Sequence, residues 1–145
     1  VLSLGGVHLH TKGVDAGETV NLEEAAELAS KLSQTWNAVV VISSKVDIIT
    51  DGNKKVFTHN GCPEMPLITG SGCMCTTLIG AFCGASPKDP FGSSVAAMAA
   101  MGLSGERAWK AYEKQGLGHF HMGILDELGH MTGEILAKGA RYEEH

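Results

Sequence analysis

The sequence predicts an α/β domain with a mainly parallel sheet flanked by helices. Three observations predict it. An amphipathic helical stripe leads directly into a continuous β-branched run, two further short strands follow as a hairpin, and a glycine-rich turn then opens a long series of helical segments. A helix leading straight into an apolar strand is half of a βαβ unit. In such a fold a ligand is expected where strands give way to helix N-termini.

The elements follow in order. Asn21 with Glu24 three residues later reads as an N-cap and capping box. Leu22, Ala25, Ala26, Leu28, Ala29 and Leu32 then recur at helical spacing, which predicts a helix over 22–35. Ala38 to Ile42 is an apolar run without polar alternation, as in a strand buried on both faces of a parallel sheet. Val46 to Thr50 and Lys55 to Thr58 are two short strands joined by Asp51-Gly52-Asn53, a hairpin turn. Pro63 and Pro66 mark a loop. Residues 73–84 are apolar and small, as in a buried helix, and Pro90 suits the first turn of a helix over 90–102. Ser104-Gly105-Glu106 opens another helix to Gln115, Gly116-Leu117-Gly118 interrupts it, and a last helix runs from Phe120 to Lys138. The tail from Arg141 to His145 reads as frayed. No repeat or linker divides the chain.

Composition narrows the function classes. With 43% hydrophobic and 19% charged residues, the 145-residue chain has the balance of a globular domain with its own core. Charged residues and glycine interrupt every apolar run, so no membrane span is expected. The net charge of −5 and the lack of a Lys/Arg cluster argue against nucleic acid as partner. The four cysteines, without a leader segment, read as free thiols of a cytoplasmic protein. The opening Val1-Leu2-Ser3-Leu4 is apolar and lacks an initiator methionine, which suggests a portion of a longer protein.

Chemistry concentrates at Thr69-Gly70-Ser71-Gly72-Cys73. Gly70 and Gly72 let successive backbone N–H groups face one point, which makes an anion nest. The N-terminus of the following helix adds partial positive charge, so phosphate is a favoured guest. Cys73 sits in the first turn of that helix, where the same field favours the thiolate. A thiolate there could accept the proton of a substrate hydroxyl as it attacks a phosphate. The plainer reading of the same residues is a helix cap followed by a small core cysteine. The segment is neither a Walker A loop nor a Gly-x-Gly-x-x-Gly turn.

Several segments in the same order resemble the hydroxyethylthiazole kinase family of the ribokinase superfamily. They are Lys12-Gly13-Val14-Asp15; Val39 to Ile42 with Val46-Asp47 and Thr50-Asp51-Gly52; Asn60-Gly61; and the turn itself, which matches the family's Thr-Gly-Thr/Ala-Gly-Cys. Gly116-Leu117-Gly118-His119-Phe120-His121 with Leu125-Asp126 resembles a late Gly-Pro-Gly-Ser-Phe-Gln and Leu-Asp segment. The cysteine is the most specific element, because most superfamily relatives carry Asp there. The resemblance implies ATP- and Mg²⁺-dependent phosphorylation of the hydroxyethyl group of 4-methyl-5-(2-hydroxyethyl)thiazole in thiamine biosynthesis or salvage. It also implies a homotrimer with active sites between subunits. Carried over by position, Cys73 is the general base, Gly70, Ser71 and Gly72 form the anion hole and touch substrate, and Ser43 and Thr69 serve the ATP site.

The chain departs from the pattern at Ser43-Ser44-Lys45, where the family shows Thr-Gly-Glu, and at His119 and His121. The match begins about halfway along the family's sequence. The 145 residues are therefore expected to form the C-terminal portion of one ribokinase-like domain. The thiazole-enclosing residues and an Arg-Gly-Asn-x-x-Glu segment would lie upstream, and a strand edge would be open. Alternatives are a kinase for another small alcohol, or an inactive homologue serving as a binding or assembly subunit. A zinc module built on Cys73-Met74-Cys75, Cys62 and His59 is disfavoured, since Cys-x-Cys in a helix points its thiols apart. The pairs His8/His10 and His119/His121 read as solvated or hydrogen-bonded. Met98 and Met101 read as packing residues, Asp47, Asp51 and Asp89 as capping or solvated groups, and Asp126 and Glu127 as a solvated face.

Overall fold

The computed structural model describes residues 21–145. The Lys12-Gly13-Val14-Asp15 segment and His8/His10 lie outside them. Helix α1, Leu22–Trp36, is capped by Asn21, whose side chain accepts from the Glu23 N–H rather than from Glu24. Asn37 ends it in the left-handed region with φ 49°. Strands β1 (Val40–Ile42), β2 (Asp47–Thr50) and β3 (Lys55–Thr58) follow, then a 3₁₀ turn at Met65–Leu67. Four helices come next: α2 (Ser71–Ala85), α3 (Pro90–Tyr112), α4 (Leu117–Gly129) and α5 (Gly133–Gly139), and β4 (Tyr142–Glu144) closes the chain.

The α/β class holds, but the sheet differs from the expected one. Its order is β1-β2-β3-β4, and all three pairings among the described residues are antiparallel. The connections explain this. Only a few residues separate β1 from β2 and β2 from β3, which permits antiparallel neighbours but not a parallel crossover. The strand buried on both faces is β2 rather than β1. Its adjacent Ile48 and Ile49 point to opposite sides, as strand geometry requires. Ile48 joins Ala25, Ala26, Ala29, Leu32, Val40 and Phe57 under α1. Ile49 joins Ile68, Cys75, Met98, Met101, Ala108, Phe120 and Ile124 on the helical side. The methionines thus pack in the core. Phe120, fully buried, meets Trp109 edge-on at a centroid distance of 5.1 Å. Burying a ring of this size contributes about 1.5–3 kcal/mol.

Three further expectations are corrected. The two helices predicted on either side of Leu103 are one continuous helix, α3. Gly102 does not break it, because its role is close approach: a Cβ there would lie 2.5 Å from the Asn60 backbone carbonyl. The single last helix is two, α4 and α5, and Thr132 caps the second by accepting from the Ile135 N–H. The tail is not frayed. Residues 142–144 pair with β3, and the Lys55 and His145 backbones exchange hydrogen bonds of 3.1 and 2.9 Å.

Candidate active site

Gly70 is the N-cap of α2 with φ 93°, a left-handed conformation that only glycine adopts without strain. Two bonds fix the turn around it: Ser71 N–H to the Ile68 carbonyl at 3.3 Å, and Met74 N–H to the Gly70 carbonyl at 2.9 Å. The N–H groups of Gly70, Gly72 and Cys73 have no acceptor among the described residues. Apart from the adjoining backbone and chain neighbours, no atom of the described residues lies within 4 Å of where a Cβ would stand on Gly70 or Gly72. Unpaired donors at the N-terminus of a 15-residue helix are the kind of setting in which anions are held. Thr69, Gly70, Gly72 and Cys73 are exposed and Ser71 is half-buried.

Two of the other thiols are held in the neutral form. Burial pushes Cys75 and Cys62 up to about 11, so both are protonated at neutral pH. Cys75 packs its sulfur 3.1 Å from that of Met98. One buried and one exposed thiol two residues apart do not make a common ligand pair. No three His, Cys, Asp or Glu residues stand together as a metal site among the described residues.

Ser43 is exposed just beyond the end of β1. The connection that carries it is pinned by Asp47, whose Oδ1 accepts from the Ser44 N–H at 2.9 Å while Oδ2 accepts from Thr58 Oγ1 at 2.9 Å. Asp47 is a capping group as expected, but a buried one rather than a solvated one. Desolvation raises its pKa to about 6 despite these bonds. Asp51 and Asp89 do cap exposed turns: Asp51 accepts from Asn53 and Lys54, and Asp89 from Gly92.

The late glycine segment comes to the turn. A shallow cleft of about 260 Å³ is lined by Leu67, Ile68, Thr69, Leu117, Gly118 and His121. His119 is exposed, with Nδ1 3.1 Å from the Gln115 carbonyl. Asp126 is exposed, while Glu127 pairs with Arg107 instead of standing free. Sequence reasoning missed Glu106, a half-buried carboxylate that binds the Gly61 N–H at 2.7 Å and the Arg141 guanidinium. Its one legible signal was an acid that follows the long run of small and apolar residues in the first half of α3.

Comparison with known proteins gives a consistent set. The sequence model of the Hydroxyethylthiazole kinase family matches residues 1–134. The Hydroxyethylthiazole kinase of Clostridium beijerinckii is 38% identical over 144 residues, 97% of this chain and 52% of that protein. That of Desulfotalea psychrophila is 39% identical over 144 residues, 99% of this chain and 51% of that protein. Among solved structures, hydroxyethylthiazole kinase protein from Pyrococcus horikoshii OT3 superposes with a TM-score of 0.77 at 28% identity. That superposition covers 85% of this chain and 47% of the other. The chain thus spans about half the length of the curated relatives it matches.

Proposed function

Because this chain belongs to the hydroxyethylthiazole kinase family, we propose that it carries the phosphate-handling part of an enzyme that transfers the γ-phosphate of ATP to 4-methyl-5-(2-hydroxyethyl)thiazole. One observation carries the reading: three N–H groups at the start of α2 have no acceptor among the described residues, beside an exposed cysteine. Cys73 accepts the proton of the hydroxyethyl group as its oxygen attacks. The N–H groups of Gly70, Gly72 and Cys73, with Ser71 between them, hold the transferred phosphoryl group and offset the charge that grows on it. Ser43 and Thr69 serve the nucleotide in this reading. The unpaired donors and empty space around Gly70 and Gly72 fit a phosphate. Mg²⁺ bound with the nucleotide would offset phosphate charge, and no cluster of ligands for it stands among the described residues.

The 145 residues constitute the C-terminal portion of one ribokinase-like domain in this reading. The remaining sheet and the walls around the thiazole belong to the half that the relatives carry and this chain does not match. The assembled enzyme is a homotrimer in the cytoplasm. Four free cysteines agree with that compartment, and no helix of the described residues is long and apolar enough to cross a membrane. The test is transfer of label from [γ-³²P]ATP to the thiazole alcohol, with other primary alcohols in parallel. Thiazole phosphate as main product supports the reading. Label on another alcohol alone replaces the substrate, and none on any alcohol overturns catalysis by this chain.

A further inference from the structure

Glu106 sits at the centre of a polar knot that joins three distant parts of the chain. Its Oε1 accepts from the Gly61 N–H at 2.7 Å, Asn60 Nδ2 at 3.3 Å and Arg141 Nη2 at 2.6 Å, and its Oε2 accepts from Arg141 Nη1 at 3.1 Å. Arg141 also donates from Nη2 to the His59 carbonyl at 2.9 Å and from its backbone N–H to Asn60 Oδ1 at 2.8 Å. Asn60 Nδ2 reaches the Gly139 carbonyl at 3.0 Å. The planar guanidinium thus grips a carboxylate with both prongs, and that carboxylate in turn grips the backbone at residue 61.

From Gly61 to the phosphate turn the chain has little slack. Met65 N–H bonds to the Cys62 carbonyl, Leu67 N–H to Glu64, Ile68 N–H to Met65 and Ser71 N–H to Ile68, so each turn hands on to the next. Two glycines of α3 press on this segment. A Cβ on Gly102 would strike the Asn60 backbone, and one on Gly105 would come 2.5 Å from the Met65 sulfur. Ile68 is anchored in the core.

We propose that Glu106 and Arg141 are positioning residues for the phosphate turn, acting through Asn60, Gly61 and the run of turns to residue 71. The proposal rests on the kinase reading for its functional consequence but not for its physical one. Glu106→Gln keeps the shape and removes the charge-assisted grip, turning an N–H group toward Arg141. Amide hydrogen exchange at Met65, Leu67, Ile68 and Ser71 is expected to accelerate at least tenfold, with the α1 amides unchanged. In the labelled-phosphate assay, kcat is expected to fall at least tenfold with KM for the thiazole alcohol held within about twofold. Arg141→Lys, which keeps a cation but loses the fork, should give an intermediate value of both and serves if Glu106→Gln fails to fold. Equal acceleration in α1 and in the 65–71 segment would reduce the knot to general stability and overturn the proposal, as would no acceleration at all. If wild-type protein transfers no phosphate, the exchange arm alone decides, and the failure belongs to the kinase reading.

Discussion

The turn at 69–73 and the knot around Glu106 use backbone donors in opposite ways. In the knot, the Gly61 N–H, the Asn60 amide and the Arg141 guanidinium all find acceptors. In the turn, the N–H groups of Gly70, Gly72 and Cys73 find none among the described residues, and a Cβ on either glycine would meet none of the more distant described residues. Unpaired backbone donors cost stability when water is excluded and are useful only where a ligand completes them. The saturated region can therefore hold shape, while the unsaturated one is free to bind. Substitutions should separate the two: a side-chain change at Cys73 lowers activity with little loss of stability, whereas a change in the knot first loosens the 65–71 segment and lowers activity through it.

The largest expected effect is at Cys73. In the kinase reading, Cys73→Ala removes the proton acceptor and lowers kcat by about 10²–10⁴-fold, while Cys73→Asp retains a base and much of the rate. Because the side chain is exposed, thermal unfolding should shift by no more than about ±0.5 kcal/mol equivalent. Equal kcat in Cys73→Ala and wild type would end the general-base assignment.

Asp47 sharpens the comparison between carboxylates. Burial also works against the Glu106 carboxylate, but Arg141, the Gly61 N–H and Asn60 outweigh it and hold its pKa below the usual value. Among the described residues Asp47 has two hydrogen bonds and no Arg or Lys partner, and its pKa is about 6 against 3.8 in the unfolded chain. Between those values the folded state binds the extra proton, so stability falls as pH rises from 4 to 6 and stays reduced above it. Glu106 has the opposite sign, losing its contribution as pH falls through its lowered pKa. Asp47→Asn should flatten the decline between pH 4 and 6 and gain roughly 1–3 kcal/mol at pH 7. Urea unfolding at four pH values checks this, and an unchanged slope would remove Asp47 as the source.

Gly102→Ala is expected to cost about 1–3 kcal/mol through overpacking, because its methyl would meet Asn60 backbone that cannot swing aside. A chemical denaturation midpoint unchanged from wild type would mean that α3 does not press on the loop.

Local features were legible in the sequence and long-range ones were not. The α1 stripe with its Asn21 cap, the Asp51-Gly52-Asn53 turn and the glycine turn before α2 are each set by neighbours within a few residues. The continuity of α3 was not legible, because the close approaches that use Gly102 and Gly105 are to Asn60 and Met65, far upstream in the chain. Arg141 read as tail because its carboxylate is 35 positions upstream. The burial of Asp47 depends on helices packed over β2, which a polar residue near a turn does not announce. The antiparallel sheet was recoverable from the short connections, but the apolar run at 38–42 suggested parallel pairing more strongly.

The finest test of the comparison uses two glycines of the same turn. At Gly70, φ is 93°, so Ala is strained by about 1–2 kcal/mol even though no atom obstructs it. Relaxing that strain would rotate the donors apart, so Gly70→Ala should lose both stability and phosphate affinity. Gly72 lies inside α2 without a positive φ, and a methyl there also meets nothing. Gly72→Ala should therefore gain up to about 1 kcal/mol from helix propensity while placing a methyl where the guest approaches. Opposite signs in denaturation, with the same loss of ATP affinity by calorimetry, would locate the anion in front of these two residues. If Gly72→Ala bound ATP as tightly as wild type, the nest would have to be centred elsewhere on the turn.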